Sequence, residues 1–161
     1  MFQPFLKTGD IAKDIPDLIR AQASLADPDI IATLSNAASL LNWYLNDVNW
    51  VGFYLWSEES EELVLGPFQG LPACIRIKPG RGVCGTAFSS GRTQRVADVH
   101  QFPGHIACDA DSRSELVIPL ERDGRIVGVL DIDSPSLGRF SDAEETALKL
   151  YVDALADLIE S

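Results

Sequence analysis

The chain has 161 residues, 46% of them hydrophobic and 23% charged, which is ordinary globular composition with enough apolar side chain for a core without staples. Its formal net charge of −11 opposes a phosphate backbone, so no nucleic-acid partner is expected, while a ligand carrying an ammonium group remains compatible. The N-terminal MFQPFLKTGDIAKD has no basic region followed by an apolar core, and no apolar run reaches the ~18 residues a bilayer demands. The expectation is a cytoplasmic protein without membrane association. Residues 1–161 should form a single domain whose first ~25 residues are a helical extension.

In chain order, Ile11, Ile15, Leu18 and Ile19 make a weak helical pattern that Pro16 interrupts. A stronger helix is expected from Pro28 to Leu45, with Asp27 as N-cap, Pro28 at the first position, and Ile31, Leu34, Ala38, Leu41 and Leu45 on one buried face. Trp50–Trp56 and Leu63–Phe68, joined by the acidic turn Ser57–Glu61, read as a hairpin. Cys74–Ile77 reads as a short strand with Ile75 and Ile77 toward the core, ended by Pro79 and Gly80. A short helix follows over Val83–Phe88 and stops near Gly91.

Between Ala97 and Ser114 no period is evident, and a loop of about seventeen residues inside a compact domain is usually functional or disordered. Phe102, Ile106 and a cysteine favour a packed, functional loop. Glu115–Leu120 and Arg125–Asp133 form a second hairpin across Asp123-Gly124. A last helix starts at Ser141, whose spacing to Glu144 matches a capping box. Helices, antiparallel-looking strands and a closing helix describe an α+β domain with helices packed on one face of a sheet.

The three cysteines, Cys74, Cys84 and Cys108, are too few and too odd in number for a disulfide framework in a reducing compartment. Cys108 lies in the long loop. It reads equally as a small hydrophobe beneath the loop or as an exposed nucleophile, with His100, His105 and Arg113 favouring a thiolate and Asp109 and Asp111 opposing it. Cys84 sits at the start of the short helix, where the helix terminus and Arg81 would lower a thiol pKa, but the preferred reading is that Gly82 and Gly85 demand close packing and Cys84 merely fits between them. Alternation leaves Cys74 less buried than a core cysteine, so it qualifies as a resolving thiol without being required as one. His100, His105 and Cys108 fall close together, but neither C-x-x-C nor H-x-x-x-H spacing occurs, so zinc is the lesser reading and no metal or organic cofactor is expected.

Period two sets Val127, Val129, Asp131 and Asp133 on one face of an apolar strand. An acid in line with valines is partly buried, which is unfavourable unless something pairs with it. Asp133 could simply mark the strand end before Ser134-Pro135; Asp131 fits that less well. Antiparallel pairing brings Glu115 beside Asp133. Three converging carboxylates suit an ammonium ligand, and crowding raises the pKa of at least one, supplying a proton donor near neutrality. Trp50, Phe53, Tyr54 and Trp56 are packing residues, with Trp50 the choice for a wall against a thioether or a sulfoxide methyl group.

The segments NWVGFYL (49–55), LVLGPFQG (63–70), GRGVCGTA (80–87), DVHQFPGHIACDA (98–110), GVLDIDS (128–134) and GRF (138–140) together resemble the free methionine-(R)-sulfoxide reductases, which are single GAF domains. The likeness runs from Asn49 to the last helix. It implies a GAF-like antiparallel sheet with N- and C-terminal helices on one face. Cys108 then looks like the catalytic thiol, Cys74 like the thiol that resolves its oxidised form, and Cys84 like an accessory or alternative resolving thiol. Glu115, Asp131 and Asp133 look like substrate-binding carboxylates, with Trp50 against the methyl group. The resemblance also implies free methionine-(R)-sulfoxide as substrate, thioredoxin as reductant and a homodimer. Two rivals share the fold: a small-ligand sensor, which would not require the three cysteines with the carboxylates, and a thiol redox sensor without turnover.

Overall fold

A computed structural model describes residues 1–105, 108 and 110–159. Helices α1 (Ile11–Ser24) and α2 (Ile30–Tyr44) precede strands β1 (Trp50–Ser57), β2 (Glu62–Gly70) and β3 (Arg76–Ile77). Helix α3 (Gly82–Ser90), strand β4 (Gln94–Val96) and a 3-10 turn (Val99–Gln101) lead to the hairpin β5 (Ser114–Arg122) and β6 (Arg125–Ser134), and α4 (Asp142–Leu158) closes the order. The strands lie in the order β3-β2-β1-β6-β5-β4, and every neighbouring pair is antiparallel. The expected α+β class holds, with the N- and C-terminal helices on one face.

Alternation along the central strands sorts two cores. Val51, Phe53, Leu116, Ile118, Leu120, Leu130 and Ile132 face α1, α2 and α4, meeting Leu18, Leu34, Leu41, Leu148, Tyr151 and Leu155. Trp50, Tyr54, Val117 and Val129 face the other way and pack with Leu63 and Ile77 and with Val83, Cys84 and Ala87 of α3. This second layer is the thinner of the two.

Several expectations shift in detail. Helix α1 runs through Pro16, forgoing the backbone bond to Ala12, because Ile15 and Leu18 are buried and Gln22 Nε2 donates to the Tyr151 carbonyl at 3.1 Å. Helix α2 is capped by Asp29, which accepts from the Ala32 N–H; Asp27 instead accepts from the Asp29 N–H, so Pro28 precedes the helix and Ile31 points outward, 66% exposed. The chain bends at Ile75, which leaves only Arg76–Ile77 paired and turns Ile75 to solvent while Ile77 stays buried. Val127 leaves the face shared by Val129 and Asp131, because β6 carries an extra residue there: Leu120 pairs with Gly128 and Glu121 with Ile126. Strand β4 has three residues, too few to show a period in sequence. The Asp123-Gly124 turn (φ +51 and +76) and the Ser141–Glu144 capping box form as expected. Ile106 and Asp109, weighed above, lie outside the described residues. Among the described residues no helix is long and apolar enough to cross a membrane.

Candidate active site

The site follows from strand register. Glu115 pairs with Asp133 across β5 and β6, Trp50 pairs with Asp133 across β1 and β6, and Asp131 stands opposite Gly52 on one side and Val117 on the other. Period two then directs Glu115, Asp131, Asp133 and Trp50 to the face covered by α3. The structure thus brings together all four residues expected to form a carboxylate pocket with an aromatic wall. Glu115 and Asp131 are buried (7% and 6% exposed), and Asp133 is half-buried.

Glycines shape both walls. A Cβ on Gly52 would lie 2.3 Å from Phe68 Cβ and 2.8 Å from the Trp50 ring, so the missing side chain lets the indole lie flat between Phe68 and Tyr54, at ring distances of 5.1 and 5.8 Å. Its Nε1 donates to the Leu71 carbonyl at 3.1 Å, which fixes the ring. On the opposite wall, a Cβ on Gly85 would approach the Lys78 carbonyl to 2.5 Å. Gly85 therefore allows α3 to press against the turn after β3, where the Gly80 N–H donates to the Gly85 carbonyl at 2.8 Å. That contact sets Cys84 on the pocket floor, 4% exposed, its thiol donating to Glu115 Oε1 at 3.9 Å.

Cys74 and Cys108 are joined in a disulfide with 5.4 Å between Cα atoms, inside the range such bridges take. The bridge links the segment after β2 to the long loop. Tyr54 holds one end, its hydroxyl donating to the Cys74 carbonyl at 2.9 Å. The loop's far end is tied by the Val99 N–H to the Arg113 carbonyl at 2.8 Å and by Asn49 Nδ2 to Ser112 Oγ at 3.1 Å. Cys108, Cys84, Glu115, Asp131, Asp133, Trp50, Tyr54, Arg81, His105 and Ser112 all line one cavity of about 40 Å³, room for a few waters or an ion.

Electrostatics here are dominated by burial. Burial, then the charges of Asp131 and Asp133, push the Glu115 carboxyl well above the ordinary carboxylate range. Burial also raises Asp131, against hydrogen bonds from Glu115, Cys84 and Asp133 that favour its anion. The pair holds fewer charges than its carboxyl count.

Of the two readings of Cys84 the tight packing site holds and the lowered thiol pKa does not, and of the helpers named for Cys108 one arrives. Burial, then Asp131, Glu115 and Asp133, push the Cys84 thiol well up; desolvation and three acids outweigh the helix terminus and Arg81 that were expected to lower it. His100 and Arg113 do not line the cavity: both are exposed, and His100 Nδ1 meets Asp98 at 3.2 Å. Only His105 of the three expected helpers reaches the cavity, and burial followed by His100 lowers its pKa, which favours the neutral ring. The histidine–Cys108 metal grouping loses its sulfur to the disulfide. A different set forms instead: ligand atoms of Cys84, Glu115 and Asp131 all lie within 4.8 Å of one another. Tyr54, Arg81 and Ser112 escaped sequence reasoning as pocket residues, because only the packing of α3 and the loop against β1 brings them together. Period two along Trp50–Trp56 sets Tyr54 on the same face as Trp50, a signal the sequence does carry.

The GAF domain family profile matches residues 29–159. Protein YtsP of Bacillus subtilis is 51% identical over 96% of both chains. The free methionine-R-sulfoxide reductase of Escherichia coli is 49% identical over 93% of this chain and 87% of that protein. The crystal structure of free methionine-R-sulfoxide reductase from Neisseria meningitidis in complex with its substrate superposes with a TM-score of 0.90 at 42% identity, covering 98% of this chain and 95% of that one. With carboxylates, indole and a cysteine pair gathered on this fold, the chain belongs to the GAF domain family and, within it, to the free methionine-R-sulfoxide reductases.

Proposed function

We propose that this protein reduces free methionine-(R)-sulfoxide to methionine, with Cys108 as nucleophile, Cys74 as resolving thiol and a protein dithiol of the thioredoxin type as reductant. The observation that carries the reading is the Cys74–Cys108 disulfide bordering the same cavity as Glu115, Asp131, Asp133 and Trp50. A ligand sensor has no use for a bridge at its binding pocket, and a substrate-free redox sensor has no use for three converging acids.

In the reduced enzyme the substrate ammonium sits among the acids and the sulfoxide methyl lies against Trp50. Arg81, at the first turn of α3 and lining the cavity, suits the substrate carboxylate. The Cys108 thiolate attacks the sulfoxide sulfur, and Glu115, kept protonated by burial and by Asp131, protonates the departing oxygen. Oxygen passes to Cys108 as a sulfenic acid and methionine leaves, so sulfur at Cys108 is oxidised by two electrons and the substrate sulfur is reduced by two. The Cys74 thiol then attacks Cys108, forming the disulfide and releasing water. An external dithiol exchanges with that disulfide and restores both thiols. Cys84, buried and protonated, supports this order: it is a pocket-floor residue and a poor competitor for the sulfenic acid.

Oxidised and reduced states should differ in substrate binding, because the Cys74–Cys108 bridge stands at the cavity wall and ties up the sulfur that must face the substrate. Reduction precedes substrate entry. We assign the functional unit to residues 1–161 as a single domain, acting in the cytoplasm as a homodimer. The test is thioredoxin-coupled NADPH consumption with each sulfoxide epimer, free and peptide-bound. The R epimer of the free amino acid should be the substrate, and Cys108→Ser should give no turnover. Equal rates on both epimers, or single-turnover reduction retained by Cys108→Ser, would overturn the assignment.

A further inference from the structure

We infer that Cys84, Glu115 and Asp131 form a binding site for a thiophilic divalent cation of the zinc class on the floor of the pocket. One thiol and two carboxyls offer ligand atoms within 4.8 Å of one another, all three residues being buried. The donor set, one sulfur and two oxygens, matches the mixture that zinc accepts and that magnesium or calcium does not. With metal–sulfur and metal–oxygen bonds of about 2.3 and 2.1 Å at a tetrahedral angle, sulfur and oxygen ligands stand about 3.6 Å apart. Cys84 Sγ and Glu115 Oε1 stand at 3.9 Å, so that pair needs only a small contraction, and the whole set must draw in from within 4.8 Å.

A second observation points to a ligand. Among the described residues, Asp131 Oδ1 is buried without a hydrogen-bond partner, although its residue is 94% buried and lines the cavity. A buried carboxylate oxygen in that state is unfavourable unless a cation or donor reaches it. The cavity of about 40 Å³ admits an ion with a remaining water. On binding, the sulfur–hydrogen bond of Cys84 and the oxygen–hydrogen bond of the protonated Glu115 break, both protons pass to solvent, and sulfur–metal and oxygen–metal bonds form; no electrons are exchanged. Three anionic ligands around a 2+ ion leave one net negative charge, against three without the ion, in a place where burial disfavours uncompensated charge. The site overlaps the carboxylates assigned above to the substrate ammonium, so on that reading the cation competes with substrate.

The disulfide makes the test specific. With Cys74 and Cys108 bridged, Cys84 is the free thiol, and Co²⁺ serves as a coloured substitute for zinc. Titrating the oxidised protein with Co²⁺ should give a saturating thiolate-to-cobalt charge-transfer band at one equivalent, displaced by Zn²⁺. Cys84→Ser should remove the band, and Asp131→Asn should weaken binding at least tenfold while keeping it. Cobalt binding without the band, or a band unchanged in Cys84→Ser, would overturn the proposal by showing the ion on surface carboxylates. In the turnover assay of the reduced enzyme, Zn²⁺ should raise the KM for sulfoxide. Should the band form without such competition, the metal site stands and the assignment of the acids to substrate falls.

Discussion

Glu115 faces a conflict that its neighbours cannot relieve. Its carboxyl is buried between a second buried acid and a thiol, and the result is a group held protonated where an exposed glutamate would be charged. For a general acid this is the useful state, and it makes a signed prediction. Turnover should fall as pH rises through the elevated pKa. Glu115→Gln should lower kcat about 10²–10⁴-fold and remove that alkaline limb. Stability falls with rising pH as well. A folded-state pKa above the unfolded value means the contribution to stability is whole below the unfolded pKa and is lost as pH rises through the folded one. Removing the ionisable group should therefore raise Tm at pH 7, by about 2–4 °C for each kcal/mol relieved, with the gain shrinking toward pH 4. A Tm gain equal at both pH values would contradict the electrostatic account. Asp131 carries a different burden. Asp131→Asn should raise the KM for sulfoxide about ten- to hundredfold, the worth of a hydrogen bond to a charged group, with a smaller change in kcat. An unchanged KM would remove Asp131 from the ammonium seat.

At the scale of elements, the pocket depends on how closely α3 approaches the turn after β3. Gly85→Ala places a methyl 2.5 Å from the Lys78 carbonyl, a backbone atom that cannot swing aside. The variant should lose about 1–3 kcal/mol and fall in kcat/KM, because Cys84 and the pocket floor ride on that helix. A melt and an assay unchanged from the parent would show that the contact is slack. Much of this scale is legible from sequence. The capping box at Ser141, the Asp123-Gly124 hairpin and the register joining Glu115 to Asp133 all follow from local rules that the structure obeys. What escapes local rules is set by long-range contacts. Two aspartates two residues apart compete to cap α2, and Asp29 prevails while Asp27 engages Thr33. A bend at Ile75 cancels an inward position that alternation assigns, and a bulge at Val127 cancels another. Burial of Cys84 outweighs its helix terminus, and there the flanking Gly82 and Gly85 do signal a tight packing site.

For the whole molecule, the disulfide couples redox state to stability. Cys74 and Cys108 are 34 residues apart, so the bridge restricts a sizeable unfolded loop. A constraint of that length contributes about 2–4 kcal/mol, and reduction should lower Tm by roughly 10 °C. Calorimetry of fully oxidised and fully reduced samples checks this; a reduced form at least as stable as the oxidised one would mean that strain in the bridge cancels its entropic gain. The looser reduced state is the one proposed to admit substrate.

The central claim is that oxygen leaves the substrate through Cys108 and that Cys74 captures the result. A thiol inventory tests it most directly. Fully reduced protein is mixed anaerobically with one equivalent of free methionine-(R)-sulfoxide and no reductant, then alkylated, and each cysteine is mapped by mass spectrometry. The account predicts one methionine formed per chain, Cys74 and Cys108 protected as a disulfide, and Cys84 alkylated as a free thiol. Methionine formed with both Cys74 and Cys108 still alkylated, or with Cys84 in the disulfide, would contradict it.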